Sequence, residues 1–304
     1  MFMLSAVGMM CYGQIPVAGN GGGQQLCVKI DGWCYNLNPQ DRTAEVTSGT
    51  SEEERAYTGM TTANIPGKVK YKGNEYQVTS IGYQAFAFCE QLQSVTLPKS
   101  VTQIRDMAFA RCTSLRSIPL HEGITQIGFY AFFGCSSLQS VYIPASVTLL
   151  FPGVFFECSS VRSYVVDASN PNYCSPDGVL FTKFKGGPGW LLYYPAGKTD
   201  KEYVVPDGAL AIMVGSFAGC QLKKITIPSS VFTISEESLK DCRYLESVIC
   251  YATKPPKCEK NVFGETPQKV PRFYVPKESI ELYKAAEGWG TQYQYFPLPD
   301  KRSK

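Results

Sequence analysis

A unit of 23 residues recurs almost four times without a gap between Ile81 and Val166, and such a period constrains the fold more than any local propensity. Ile81, Ile104, Ile127 and Leu150 are one step apart, and so are Phe86, Phe109, Phe132 and Phe155. Cys89, Cys112, Cys135 and Cys158 keep the step, as do Leu92, Leu115, Leu138 and Val161. Within 92–97 the apolar residues take the first, fourth and sixth places, which reads as a short strand edge facing a core. Pro98 stops it, because proline has no N–H to extend a ladder. Residues 81–89 then return the chain on the far side, expected as a single helical or 3₁₀ turn. One coil has too little apolar surface to fold alone. Stacked at a strand spacing of about 4.8 Å, each coil covers the next, and stability becomes a nearest-neighbour sum.

The pattern predicts a leucine-rich repeat solenoid of the α/β repeat class, mostly β with short helical turns. Strands are expected at 92–97, 115–120, 138–143, 161–166, 222–227 and 245–250 in one parallel sheet. With Cys before the strand, Leu-x-x-Val-x-Leu-Pro along it and Ile-x-x-x-Ala-Phe on the return, the chain resembles the BspA-like leucine-rich repeat family. The resemblance covers about residues 24–296 and implies a secreted or surface protein of a host-associated bacterium.

The rest of the chain reads as caps and interruptions. Residues 1–13 are apolar and end in Cys11-Tyr12-Gly13, which reads as the hydrophobic and cleavage regions of a secretory signal whose basic start is absent; Cys11 leaves lipid anchoring and cleavage both open. Residues 14–23 form a flexible leader, and 51–54 a solvated acidic loop. Residues 24–80 form an N-terminal β cap, with hairpins at Asp31-Gly32 and around Lys72-Gly73, and a partial repeat from Ile65-Pro66. The repeats fill 81–166; a turn-rich stretch and an inserted hairpin around 185–189 occupy 167–204; repeats resume over 205–276. Residues 277–304 form a helical C-terminal cap and tail, with Gly288 near the helix end.

Twelve cysteines in an exported chain would ordinarily suggest disulfides. Six of them, Cys89, Cys112, Cys135, Cys158, Cys220 and Cys242, share one slot and point the same way, which is poor geometry for bridging. They are expected as buried small hydrophobes with weak S–H donors. The pairing of Cys27 with Cys34, and of Cys250 with Cys258, is left open.

Chemistry is scarce. The single histidine, His121, stands at the proline slot of one repeat and reads as a turn substitution. No zinc, phosphate-loop or Ser-His-Asp pattern accompanies it, so neither a cofactor nor a metal is expected, nor an enzyme. Asp167, Asp177 and Asp207 flank the insertion in turn-forming contexts, unlike a carboxylate pair for glycoside hydrolysis. Net charge is +3 over 304 residues, which gives no nucleic-acid signal, and no run of roughly 18 apolar residues follows the N-terminus.

What varies is the outward surface. The third strand place is mostly serine, while the fifth reads Thr96, Pro119, Tyr142, Val165, Thr226 and Ile249. Arg116 and Arg162 flank Tyr142 on the neighbouring coils, and aromatic and arginine side chains are typical interface anchors. The candidate partner-binding residues are therefore Thr96, Arg116, Tyr142, Arg162, Val165 and Trp190 of the inserted hairpin. Two functions fit. One is a monomeric adhesion module that binds a protein, with host extracellular-matrix proteins the kind implied by the resemblance. The other is a structural or glycan-associated envelope component. An aromatic cluster on the folded sheet favours the first, and an evenly polar sheet the second.

Overall fold

The computed structural model describes residues 26–48, 56–259, 261–263 and 270–299. The expected signal remnant, leader, acidic loop and final tail residues lie outside them, as does the side chain of Cys27. The described residues form a β-solenoid, a coil repeated along one axis with two strand columns and a turn side. The front column contains Ser94–Thr96, Ser140–Ile143, Ser163–Val166, Lys224–Ile227 and Ser247–Cys250, the repeat strands read from sequence, each shorter than expected. A lateral column of short strands, Gln103–Ile104, Gln126–Ile127 and Leu149–Leu150, pairs in parallel beside it.

The solenoid is as expected, but the single parallel sheet is not. The described strands form five sheets, and the front column is broken twice. Residues 115–120 form no strand. Pro119 has no N–H to give, and the Leu120 N–H turns back to the Ile118 carbonyl, 3.0 Å. Arg116 alone keeps contact there, its N–H on the Gln93 carbonyl and its carbonyl accepting from Gln139, both 3.3 Å. The second break follows Ser163–Val166. There the short 3₁₀ turn Pro176–Gly178 packs on the strand, and the Ser175 hydroxyl takes the Val166 N–H at 2.9 Å. Repeats 81–166 and 205–250 consequently belong to separate sheets.

The return segment is not helical either. Alternate N–H groups close tight turns, Ala85 to Gly82 and Ala87 to Gln84, while Phe86 and Phe88 donate to Ala108 and Ala110 of the next coil, both 2.7 Å. This zigzag needs two left-handed residues per coil, at Gln84, Met107 and Tyr130, and again at Phe88, Arg111 and Glu157. Gly134 and Gly153 fill these two slots where the sequence supplies glycine.

Inside, the phenylalanine rings stack in file. Tyr57 lies 4.8 Å from Phe86, and successive rings from Phe86 through Phe109 and Phe132 to Phe155 are 5.0, 5.4 and 5.8 Å apart. Tyr57 thus seals the first coil, and its hydroxyl donates to Thr47 O and accepts the Cys34 N–H, each at 2.9 Å. At the other end the helix Ile280–Ala285 closes the last coil, as expected. Tyr283 donates to Ala252 O and Trp289 Nε1 to Pro256 O, both at 2.8 Å.

The cysteine slot behaves as read. Cys112, Cys135 and Cys158 donate S–H to the carbonyls of Phe86, Phe109 and Phe132 at 3.1–3.2 Å, and Cys242 repeats this on Phe217 at 3.1 Å. Burial pushes the Cys112, Cys135 and Cys158 thiols up, Cys158 to about 12, so they stay protonated donors, while the Cys242 thiol is raised first by its contact with Cys220, 3.6 Å away. Cys34, Cys250 and Cys258 are buried free thiols.

The insertion is a spliced coil. Asn170 is fully buried; its Nδ2 donates to Pro144 O and Val147 O at 2.8 and 2.9 Å, and its Oδ1 accepts the N–H groups of Asn172 and Tyr173 at 2.9 Å. Asn172 Nδ2 reaches Thr148 O at 2.7 Å and the Tyr173 hydroxyl accepts from Leu150 N at 2.8 Å. Side chains therefore do here what a backbone ladder does elsewhere. The following hairpin, strands Leu180–Phe184 and Gly187–Tyr193, turns at Lys185 and Gly186, both left-handed. It divides the core. Leu180 and Tyr193 face the first apolar cluster, while Phe181, Leu191 and Tyr194 face the second.

Candidate interaction surface

The front face is built from the third and fifth places of each front strand. Tyr142 and Val165 are paired neighbours there, 42 and 49 % exposed. The Tyr142 hydroxyl donates to Asp167 Oδ2 at 2.9 Å. Asp167 is held below the usual carboxylate range by the Ser169 hydroxyl and N–H and then by Tyr142, so the anchor persists at neutral pH and is lost only as acid protonates the carboxyl. Arg116 and Arg162 project from the coils on either side of the Tyr142 coil, both exposed, with Arg162 N bonded to Gln139 O at 2.8 Å. Thr96 is exposed and its hydroxyl donates to Asn64 Oδ1 at 3.2 Å. Thr96, Tyr142 and Val165 thus stand on the front face itself, and Arg116 and Arg162 flank it from the second place. Trp190 does neither. Its strand pairs in parallel with Ala211–Ile212, which belongs to the lateral column, so the hairpin opens on a different side from Tyr142.

The second half of the front face continues the fifth-place column through Thr226 and Ile249 and adds Val204, Tyr274 and Phe296, which the sequence reading passed over. In register across the sheet stand Val204, Thr226, Ile249, Tyr274 and Phe296. Val204 is 64 % exposed, and the Tyr274 and Phe296 rings lie 5.5 Å apart. A signal for two of them was present. Thr96 stands two places before Pro98, and the same count back from Pro206 and Pro276 gives Val204 and Tyr274. The column is interrupted at Thr226, which is polar and buried, and beside it the charges are paired, Lys224 with Glu202 and Lys223 with Glu246 at 3.5 Å.

His121 uses both ring nitrogens on backbone. Its Nδ1 accepts the Gly123 N–H and its Nε2 lies on Pro98 O, each at 3.0 Å, so the ring closes a turn at the proline slot. Among the described residues no group of three or more His, Cys, Asp and Glu could hold a metal ion.

A stack of strand–turn coils with one aromatic file inside and variable outward slots defines a leucine-rich repeat solenoid. The family model described as the BspA type leucine rich repeat region matches residues 58–174 and 201–286 in six copies, and the chain belongs to that family. Among solved structures, a leucine-rich repeat protein from Eubacterium ventriosum is 19% identical, with a TM-score of 0.53 and coverage of 88% of this chain and 82% of that one. A leucine rich cell surface protein from Faecalibacterium prausnitzii is also 19% identical, covering 92% and 96%, with a TM-score of 0.45. A leucine-rich repeat protein from Bacteroides capillosus is 32% identical over 46% of this chain and 98% of its own, with a TM-score of 0.40. No curated protein matches. Among the described residues no helix is long and apolar enough to cross a membrane.

Proposed function

We propose that this chain is an exported, cell-surface module without catalytic activity that holds a protein partner of the extracellular-matrix kind on its front face. The observation that carries this reading is the run of register-aligned apolar and aromatic side chains on that face, Tyr142 and Val165 in one half and Val204, Ile249, Tyr274 and Phe296 in the other. A spacer that touched no protein would need no such column. Its outward slots contribute little to folding, so exposed aromatics there gain their use from a partner. Arg116 and Arg162 add donors at the margin of the Tyr142 cluster.

The test is binding to a panel of immobilised extracellular-matrix proteins, followed by substitution. Tyr142→Ala and Arg162→Ala should each cost on the order of 1–3 kcal/mol of affinity for whichever protein binds. Both residues are exposed, so unfolding free energy should move by only about ±0.5 kcal/mol. Affinity that ignores both changes would remove the front face as the site.

A further inference from the structure

The lateral face changes character across the insertion. Before it, the outward slots are Thr102, Thr125 and Thr148, each hydroxyl bonded to the carbonyl of the preceding coil. After it they turn apolar. Gly189, Leu210 and Phe232 form one row, joined by N–H to carbonyl bonds of 2.8 and 3.0 Å. Trp190, Ala211, Thr233 and Lys257 form the next, in parallel register. Phe184 leans over Gly189, where an added Cβ would come within 2.9 Å of the Phe184 Cβ. Phe184 and Trp190 are each 47 % exposed and Phe232 59 %, whereas Gly189 and Ala211 are buried, so aromatic walls rise beside a low floor. Lys185 stands 5.5 Å from the Phe184 ring centre at one end, and exposed Lys257 closes the other.

We propose that this strip binds an acidic polysaccharide, its sugar rings stacked on Trp190, Phe232 and Phe184 and its carboxylates paired with Lys185 and Lys257. The spacing supports a sugar chain. Coils advance by about 4.8 Å, close to the length of one pyranose unit in an extended chain, so aromatic walls two coils apart meet alternate sugars. Charge argues against a second copy of this chain, since a two-fold axis through the strip would bring its lysines against one another. This site is separate from the front face and stands or falls independently of it.

Trp190 is also the reporter, because Trp33 is half-buried and Trp289 buried. Titration with oligogalacturonate at low salt should give a saturable change in tryptophan emission that weakens as salt is added. Phe232→Ala, and Lys185→Ala combined with Lys257→Ala, should each raise the dissociation constant by roughly tenfold or more. Tyr142→Ala should leave it unchanged, and circular dichroism should confirm that every variant is folded. Neutral dextran should bind at least about tenfold more weakly. No saturable change, an equal response to dextran, an equal response to polyglutamate, or affinity unaltered in folded Phe232→Ala would each overturn the proposal.

Discussion

Phe132→Ala is expected to remove roughly 3–5 kcal/mol of stability, read from the urea midpoint at unchanged slope. The ring is fully buried, with Phe109 at 5.4 Å on one side and Phe155 at 5.8 Å on the other. The hole left behind cannot close. The Phe132 N–H is bonded to Val154 O at 3.0 Å, and its carbonyl accepts both the Cys135 N–H and the Cys158 S–H at 3.2 Å. The backbone on both sides is therefore pinned at coil spacing, and the lost ring contacts are not recovered. A loss below about 1 kcal/mol would mean that the aromatic file does not hold the coils together.

Asn170→Ala should cost about as much by another mechanism. The substitution removes four hydrogen bonds at once and leaves the Val147 carbonyl and two N–H groups without partners at this bend, while Pro144 O keeps only the Val147 N–H at 3.2 Å. Each buried polar group left unmade costs about 1–3 kcal/mol, and partial relaxation brings the expected sum to roughly 3–5 kcal/mol. Asn170→Asp should fare little better, because a carboxylate can accept from Asn172 and Tyr173 but cannot donate to Pro144 and Val147. The position joins two apolar clusters that meet at the inserted hairpin. Thermal unfolding of the variant should accordingly split into two transitions. A single transition within about 1 kcal/mol of the parent would show that the splice is held by something else.

These two residues also mark what the sequence discloses and what it hides. Phe132 was legible because a core slot admits one kind of residue in every coil, so the period writes the core out in full. Asn170 was not. In an Asn-Pro-Asn-Tyr run, local chemistry says only that a turn forms, and the side chain's bonds exist once the coil before it is in place. Pro119 was visible in the fifth-place column, yet its effect on the ladder depends on which N–H the neighbouring coil requires. Trp190 was legible as part of the inserted hairpin, but the side on which that hairpin opens was not. The parallel pairing of its strand with Ala211–Ile212 is a long-range choice that local alternation does not encode. Tyr274 and Phe296 were missed because the period had already lapsed, although the proline two places beyond Tyr274 still marked its slot.

If the front face alone carries the protein partner, substitutions there should weaken binding and those on the other faces should not. Affinity for one matrix protein, measured side by side for three variants, tests it most directly: Tyr274→Ala on the front, Thr125→Ala on the lateral face and Tyr83→Ala on the turn side. Tyr274→Ala should weaken binding by roughly tenfold or more while the other two stay within about twofold of the parent. Equal losses in all three, or a loss confined to Thr125→Ala or Tyr83→Ala, would contradict it.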